Sequence, residues 1–168
     1  HQFNAEWLAS CARLLKPAGT IWVSGTLHVY LSVGIAMQEA GLRILNDIIW
    51  EKPNPPPNLG CRCFTHATEL LLWATKAPKG GKEKYTFNYK EMREENGGKQ
   101  MKNVWRLKAP GAREKEFGKH PTQKPLGILN RIIRVHTRPG DCVLDFFAGS
   151  GTVGEAAVRL GRNAVLVD

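Results

Sequence analysis

The chain has 168 residues, 42% of them apolar and 23% charged, with a formal net charge of +9. That length suits one domain and excludes a pair of large ones, and the composition is that of a soluble globular protein. The longest apolar run, residues 70–74, falls far short of the roughly twenty residues of a bilayer span, so no membrane helix is expected.

Residues 4–16 place Trp7, Leu8, Cys11, Leu14 and Leu15 on one face of a 3.6-residue repeat and predict a helix that Pro17 and Gly19 end. Residues 20–25 (TIWVSG) predict a strand. A second helix is predicted over 29–40, closed by Gly41, and a second strand over 42–50 (LRILNDIIW). Pro53, Pro55, Pro56 and Pro57 then forbid regular structure. Residues 69–74 (ELLLWA) predict a third strand, apolar enough to be buried on both faces. Trp7, Trp22 and Trp73 are expected in the core.

From residue 76 to 119 the periodicity fails, and this polar stretch reads as an insertion carried by the sheet. Order returns at Lys124. Pro125 opens a helix with Leu129, Ile132, Ile133 and His136 on one face. A short strand over 142–145 runs into a glycine-rich turn and a helix that points Val153, Ala156, Ala157 and Leu160 inward. Gly161 ends it, and residues 164–167 form the last strand. Strands alternating with helices predict a single α/β domain with a mostly parallel sheet.

Charge is unevenly spread. Residues 76–138 hold 17 Lys and Arg against 6 Asp and Glu, whereas the remainder holds 7 against 9. A basic segment with Tyr85, Phe87, Tyr89 and Trp105 interleaved points to a polyanion, because each neutralised phosphate releases counterions. Four cysteines, Cys11, Cys61, Cys63 and Cys142, are few for a disulfide scaffold, so reduced thiols in the cytoplasm are expected. Cys61, Cys63 and His66 lack the second pair a zinc finger needs, and no metal is expected.

The strongest chemical signal is Asp145-Phe146-Phe147-Ala148-Gly149-Ser150-Gly151-Thr152, with Asp168 closing the next strand 17 residues after Gly151. A strand entering glycines that open a helix presents backbone N–H groups to a ligand, and an acid at the next strand end suits the hydroxyls of a ribose. Gly149, Gly151 and Gly154 also spell G-x-G-x-x-G, so a dinucleotide site is weighed. Asp145 sits badly beside a pyrophosphate and well beside an ammonium group. A ligand with an amino-acid end and an adenosine end, such as S-adenosylmethionine, satisfies both acids. A Walker loop is excluded because no lysine follows the last glycine.

These residues, preceded by His120-Pro121-Thr122-Gln123-Lys124-Pro125, resemble the amino-methylating DNA methyltransferases. Residues 14–25 (LLKPAGTIWVSG) and 50–58 (WEKPNPPPN) resemble the permuted, or beta, group, in which the cofactor-binding half follows the catalytic half. The likeness covers essentially the whole chain and is nearest to the cell-cycle-regulated, GANTC-type adenine-N6 enzymes. Two departures stand out: Phe146 replaces a usual proline, and Asp168 a frequent glutamate.

The resemblance implies a Rossmann-like methyltransferase fold and S-adenosylmethionine as cofactor. Asp145 through Thr152 would surround its methionine part, Asp168 would hold the ribose, and His120, Pro121, Thr122, Gln123 and Lys124 would close the other side. Trp50, Lys52, Asn54 and Pro55 would border the pocket of an extruded base, and Trp105, Arg106 and Lys108 would face DNA. Residues 76–119 would recognise the target and 120–168 would bind cofactor. Double-stranded DNA is the expected partner, with no membrane and with a homodimer allowed. A bacterial or phage-type, nucleoid-associated protein of restriction–modification or epigenetic marking is implied.

The family orients the amine with an Asp, Ser or Asn followed by two prolines and an aromatic that stacks on the base. That motif does not occur in the 168 residues; Asn54-Pro55-Pro56-Pro57 lacks the aromatic. In the permuted order it is expected before His1, and the start on His1 reads as a piece of something longer, inactive alone. Rival readings are a cytosine-N4 methyltransferase, a silent DNA-binding module on the same scaffold and, more distantly, a nicotinamide-dependent oxidoreductase.

Overall fold

The amphipathic first segment forms helix α1 at Gln2–Leu14, burying Leu8 and Cys11, and the chain turns at Pro17 into strand β1 at Thr20–Gly25. Helix α2 follows at Leu27–Glu39, with Val33, Ala36 and Met37 inward, and then β2 at Leu42–Glu51 and β3 at Thr68–Lys76. The computed structural model describes residues 1–77, 84–115 and 120–168. They fall into two compact units, one of His1–Thr86 with Lys102–Arg106, the other of Phe87–Met101 with Leu107–Asp168.

The first unit is built on a sheet of order β1-β3-β2-β4, where β4 is Val104–Arg106. Strand β3 lies between β1 and β2 and is antiparallel to both, while β4 runs parallel to β2. The sheet is therefore mixed, where alternation of elements predicted a mostly parallel one. The reason lies in residues 52–67, whose prolines bar a crossover helix. A strand that returns without a crossover pairs antiparallel.

Both faces of β3 are covered, as its apolar run predicts. Leu72 and Ala74 join Leu8, Val33, Ala36, Met37 and Leu42 in a core beneath α1 and α2. Trp73, on the opposite face by strand alternation, stacks on Trp22 with centroids 5.8 Å apart, and Trp22 stacks in turn on Trp105 at 6.1 Å. Tyr85 meets Trp73 edge-on at 5.3 Å.

The stretch 76–119, expected to be aperiodic, contains strand β4, helix α3 at Tyr89–Glu95 and a 3-10 turn at Ala112–Lys115. Elements this short show no readable period. Their order comes from non-local packing: Trp105 is buried in the sheet, and Met92 anchors α3. Residues 78–83 and 116–119 of the expected insertion lie outside the described residues.

In the second unit, helix α4 (Leu126–His136) packs through Ile133 on Ala156 and Ala157 of helix α5 (Thr152–Arg159). Strands β5 (Cys142–Asp145) and β6 (Asn163–Leu166) flank α5 in sequence and pair in parallel, Asp145 opposite Leu166. Gly154 permits this packing, because a Cβ there would lie 2.7 Å from Cδ1 of Leu166. Glu95 of α3 binds Arg131 at 2.7 Å and Arg134 at 3.1 Å, so part of the basic excess is neutralised internally.

Among the described residues no helix is long and apolar enough to cross a membrane. All four cysteines are free thiols; Cys11 is buried and Cys61, Cys63 and Cys142 are exposed. Burial raises the Cys11 pKa from the ordinary 9.0 to about 11. Stability from this thiol is therefore complete below about pH 9 and is lost as pH rises toward 11. A thiol reagent at neutral pH should modify Cys61, Cys63 and Cys142 promptly and Cys11 only on unfolding, as read by mass spectrometry of labelled peptides. Prompt labelling of Cys11 would contradict its burial on α1.

Candidate functional site

Strand β5 delivers Asp145 and β6 leads to Asp168, both at the carboxyl ends of parallel strands, where α/β sheets hold their ligands. The loop between β5 and α5 is laced to both acids. Asp145 Oδ1 accepts a hydrogen bond from the Phe147 N–H at 3.0 Å, and Asp168 Oδ1 accepts one from the Gly149 N–H at 3.2 Å. Backbone bonds from Ala148 N–H to the Val167 carbonyl and from Val167 N–H to the Asp145 carbonyl, at 3.0 and 2.9 Å, continue the ladder beyond the strands. Ser150 and Thr152 share a hydroxyl–hydroxyl bond of 2.9 Å where α5 begins.

Gly149 is indispensable to this geometry on two counts. Its φ of +49° lies in the left-handed region, and a Cβ would stand 3.0 Å from Nε2 of His120. The imidazole thus lies against bare main chain, which brings the 120–125 segment onto the glycine loop. Gly151, φ +72°, caps α5.

The 120–125 segment is held by its own bonds. Thr122 Oγ1 lies 3.2 Å from His120 Nδ1, the Gln123 N–H donates to the His120 carbonyl at 3.3 Å, and Lys124 Nζ donates to the Thr122 carbonyl at 2.8 Å. Pro121 is exposed and Pro125 buried. Glu114, which the sequence reading missed, secures the segment twice: its carboxylate accepts the Leu126 N–H at 2.7 Å, and its carbonyl accepts the Gln123 amide. A carboxylate at a helix N-terminus is a recognisable stabiliser. This one comes from twelve positions upstream, beyond any local capping pattern.

The loop is therefore joined to Asp145 and Asp168 by hydrogen bonds and to the 120–125 segment through the His120 ring at Gly149. Phe147 is 57% exposed at its rim, Phe146, Ala148 and Ser150 are half-buried, and Thr152 is buried. Two carboxylates beside exposed main chain repel a pyrophosphate, and each retains acceptor capacity after binding one N–H. That donor and acceptor set fits an ammonium group and ribose hydroxyls, as the zwitterionic end and sugar of S-adenosylmethionine present.

Residues expected to face DNA fare differently. Trp50 is 2% exposed and Trp105 6%, paired across β2 and β4, so both are packing residues and neither ring is open to a base. Lys52 is neutralised by Glu69 at 2.5 Å and lies over the Trp50 ring at 4.7 Å, which removes it as a free phosphate contact. Arg106 is exposed, 3.4 Å from Glu51. Asn54 and Lys108 are exposed and Pro55 half-buried. These corrections share a cause: strand pairing and ion pairing between distant residues cannot be read from local pattern.

The parallel β5–α5–β6 unit and its acid-flanked glycine loop are those of the Rossmann-like fold of S-adenosylmethionine-dependent methyltransferases. A family model described as DNA methylase matches residues 1–168, and the chain belongs to that family. It is 51% identical over 168 residues to the type II methyltransferase M2.DpnII of Streptococcus pneumoniae, covering all of this chain and 62% of that protein. The crystal structure of the M1.HpyAVI–SAM complex superposes with a TM-score of 0.78 at 33% identity, covering 98% of this chain and 74% of the other. The cytosine-N4-specific PvuII DNA methyltransferase shares the fold at 23% identity, with a TM-score of 0.78 over 98% of this chain and 65% of its own. The chain spans less than two thirds of the length of its curated relative.

Proposed function

We propose that this chain is part of a site-specific DNA methyltransferase that methylates adenine at N6 in double-stranded DNA, with its cofactor-binding half in residues 120–168. The observation that carries the reading is the loop pinned between Asp145 and Asp168 with His120 against Gly149. Family membership supports it, as do the relative named a type II methyltransferase and the neighbour crystallised with SAM.

When bound, S-adenosylmethionine supplies an electrophilic methyl group. The protein's own part is to hold and orient. Asp145 takes the ammonium and Asp168 the ribose hydroxyls, while each keeps a loop N–H. Thr122, Gln123 and Lys124 close over the methionine end, kept in place by Glu114. Residues 120–168 form the cofactor half, and residues 76–119 take part in target recognition. Arg106 and Lys108 contribute to DNA binding through phosphates, which position the protein without specifying sequence.

The chain follows the permuted order, with the cofactor-binding half after the catalytic half, as in the GANTC-type adenine enzymes it resembles. The cytosine-N4-specific PvuII enzyme shares this fold, so the fold alone does not choose the base, and the amine-facing motif that would orient it does not occur in these 168 residues. The complete protein is read as a restriction–modification enzyme of the bacterial cytoplasm.

Calorimetric titration of the 168-residue chain should give one saturable site for S-adenosylmethionine, with no tritiated methyl passing to DNA. Robust turnover by the chain alone would overturn the missing-motif argument, and a preference for NAD would overturn the cofactor assignment. DNA modified by the complete protein should yield N6-methyladenine; N4-methylcytosine would reverse the choice of base.

Gly149→Ala meets both the backbone and the His120 ring. Forcing a Cβ into the left-handed region costs about 1–2 kcal/mol, and the imidazole must move. The expected result is a melting temperature several degrees lower and roughly tenfold weaker cofactor binding. Wild-type affinity in this variant would show that His120 plays no part in the site.

A further inference from the structure

The connection from β2 to β3 presents two apolar side chains almost wholly to solvent. Leu59 is 91% exposed and Phe64 96%. A scattered surface leucine is ordinary, but an almost bare phenylalanine in the same connection as a second exposed apolar side chain points to an interaction site. The surrounding chain is organised to hold them out. Asn58 accepts the Gly60 N–H on Oδ1 at 3.0 Å, donates from Nδ2 to the Cys63 carbonyl at 2.8 Å, and accepts the Cys61 N–H on its carbonyl at 3.2 Å. Cys61 takes the left-handed φ of +48° that closes this turn. The Lys52–Glu69 pair and a bond from the Lys52 N–H to the Ala67 carbonyl fasten the base of the hairpin.

We propose that this hairpin tip is a wedge that enters the base stack of duplex DNA, Phe64 filling the gap left by an extruded base and Leu59 supporting its flank. The inference rests on the reading of the chain as part of a DNA-modifying enzyme. Three features favour DNA over a protein surface. The tip carries exposed Arg62 and, from residue 52 to 67, no carboxylate, so its charge matches phosphate. Its side chains are of the kind, Phe and Leu, that wedge between base steps. Chemistry on a base requires extrusion, which leaves a hole in the stack that an aromatic ring can occupy. The tip follows directly on the Asn54–Pro57 segment that the family resemblance assigns to the border of the base pocket.

Fluorescence anisotropy with three labelled DNAs of one sequence tests this: an intact duplex, the same duplex with one abasic site, and the single strand. The wild-type chain should prefer the abasic duplex, whose hole is already open, by about tenfold, the scale of one base–aromatic stack. Phe64→Ala should abolish that preference with an unchanged melting temperature, and Phe64→Trp should restore it. Arg62→Ala should weaken both duplexes alike and lower the salt slope by about one. A Phe64→Ala chain that keeps the preference would overturn the wedge while leaving DNA binding intact. Equal weakening on all three DNAs would make Phe64 a stacking platform instead. Loss of self-association alone, by light scattering, would assign the tip to a protein interface. Wild-type protein that binds none of the three would sink both the wedge and the DNA reading.

Discussion

Asp145→Asn should bind S-adenosylmethionine about a hundredfold more weakly than the wild-type chain while melting at nearly the same temperature. The substitution keeps an oxygen that can accept the Phe147 N–H, so the loop retains its shape. What disappears is the negative charge that we propose faces the ligand's ammonium. A hydrogen bond between two charged groups is about twice as strong as a neutral one and is worth roughly 1.5–3 kcal/mol. At about 1.4 kcal/mol per decade that gives one to two orders of magnitude. Asp168→Asn should cost less, about tenfold, because ribose hydroxyls are neutral. Titration calorimetry on both variants checks the ranking. Unchanged binding in Asp145→Asn would remove this acid from the site.

Trp105→Ala should act on stability and leave DNA contacts alone. The ring is stacked on Trp22 and donates its indole N–H to the Lys102 carbonyl at 3.0 Å, deep in the sheet beside Trp50. Truncating a buried tryptophan costs about 3–5 kcal/mol, a large part of the 5–15 kcal/mol that holds a domain together. Urea denaturation should show that loss, and Trp105→Phe, which keeps a ring in the stack, should show a much smaller one. At temperatures where Trp105→Phe is fully folded its affinity for DNA should equal the wild type's. Full stability combined with lost DNA binding would return Trp105 to the surface role that its basic neighbours suggest.

The contrast between these two residues marks what the sequence makes legible. Asp145 sits in a contiguous strand–turn–helix pattern, so local order alone exposes the acid-flanked glycine loop on which the proposed site rests. Strand β1 keeps its predicted bounds, and the apolar run of β3 correctly foretells burial on both faces. Trp105 lies in a strand of three residues whose partners are Trp50 and Trp22, and no periodicity can announce such an element. The same limit hid the antiparallel pairing of β3, the neutralisation of Lys52 by Glu69, and the grip of Glu114 on the His120 segment. Each depends on residues that only folding brings together.

Crystals of the chain grown with S-adenosylmethionine test the central claim most directly. Electron density should place the ligand's ammonium on Asp145 and its ribose hydroxyls on Asp168, across the bare main chain at Gly149. Finding that compound elsewhere, or a dinucleotide pyrophosphate seated between the two acids in its stead, would contradict the account.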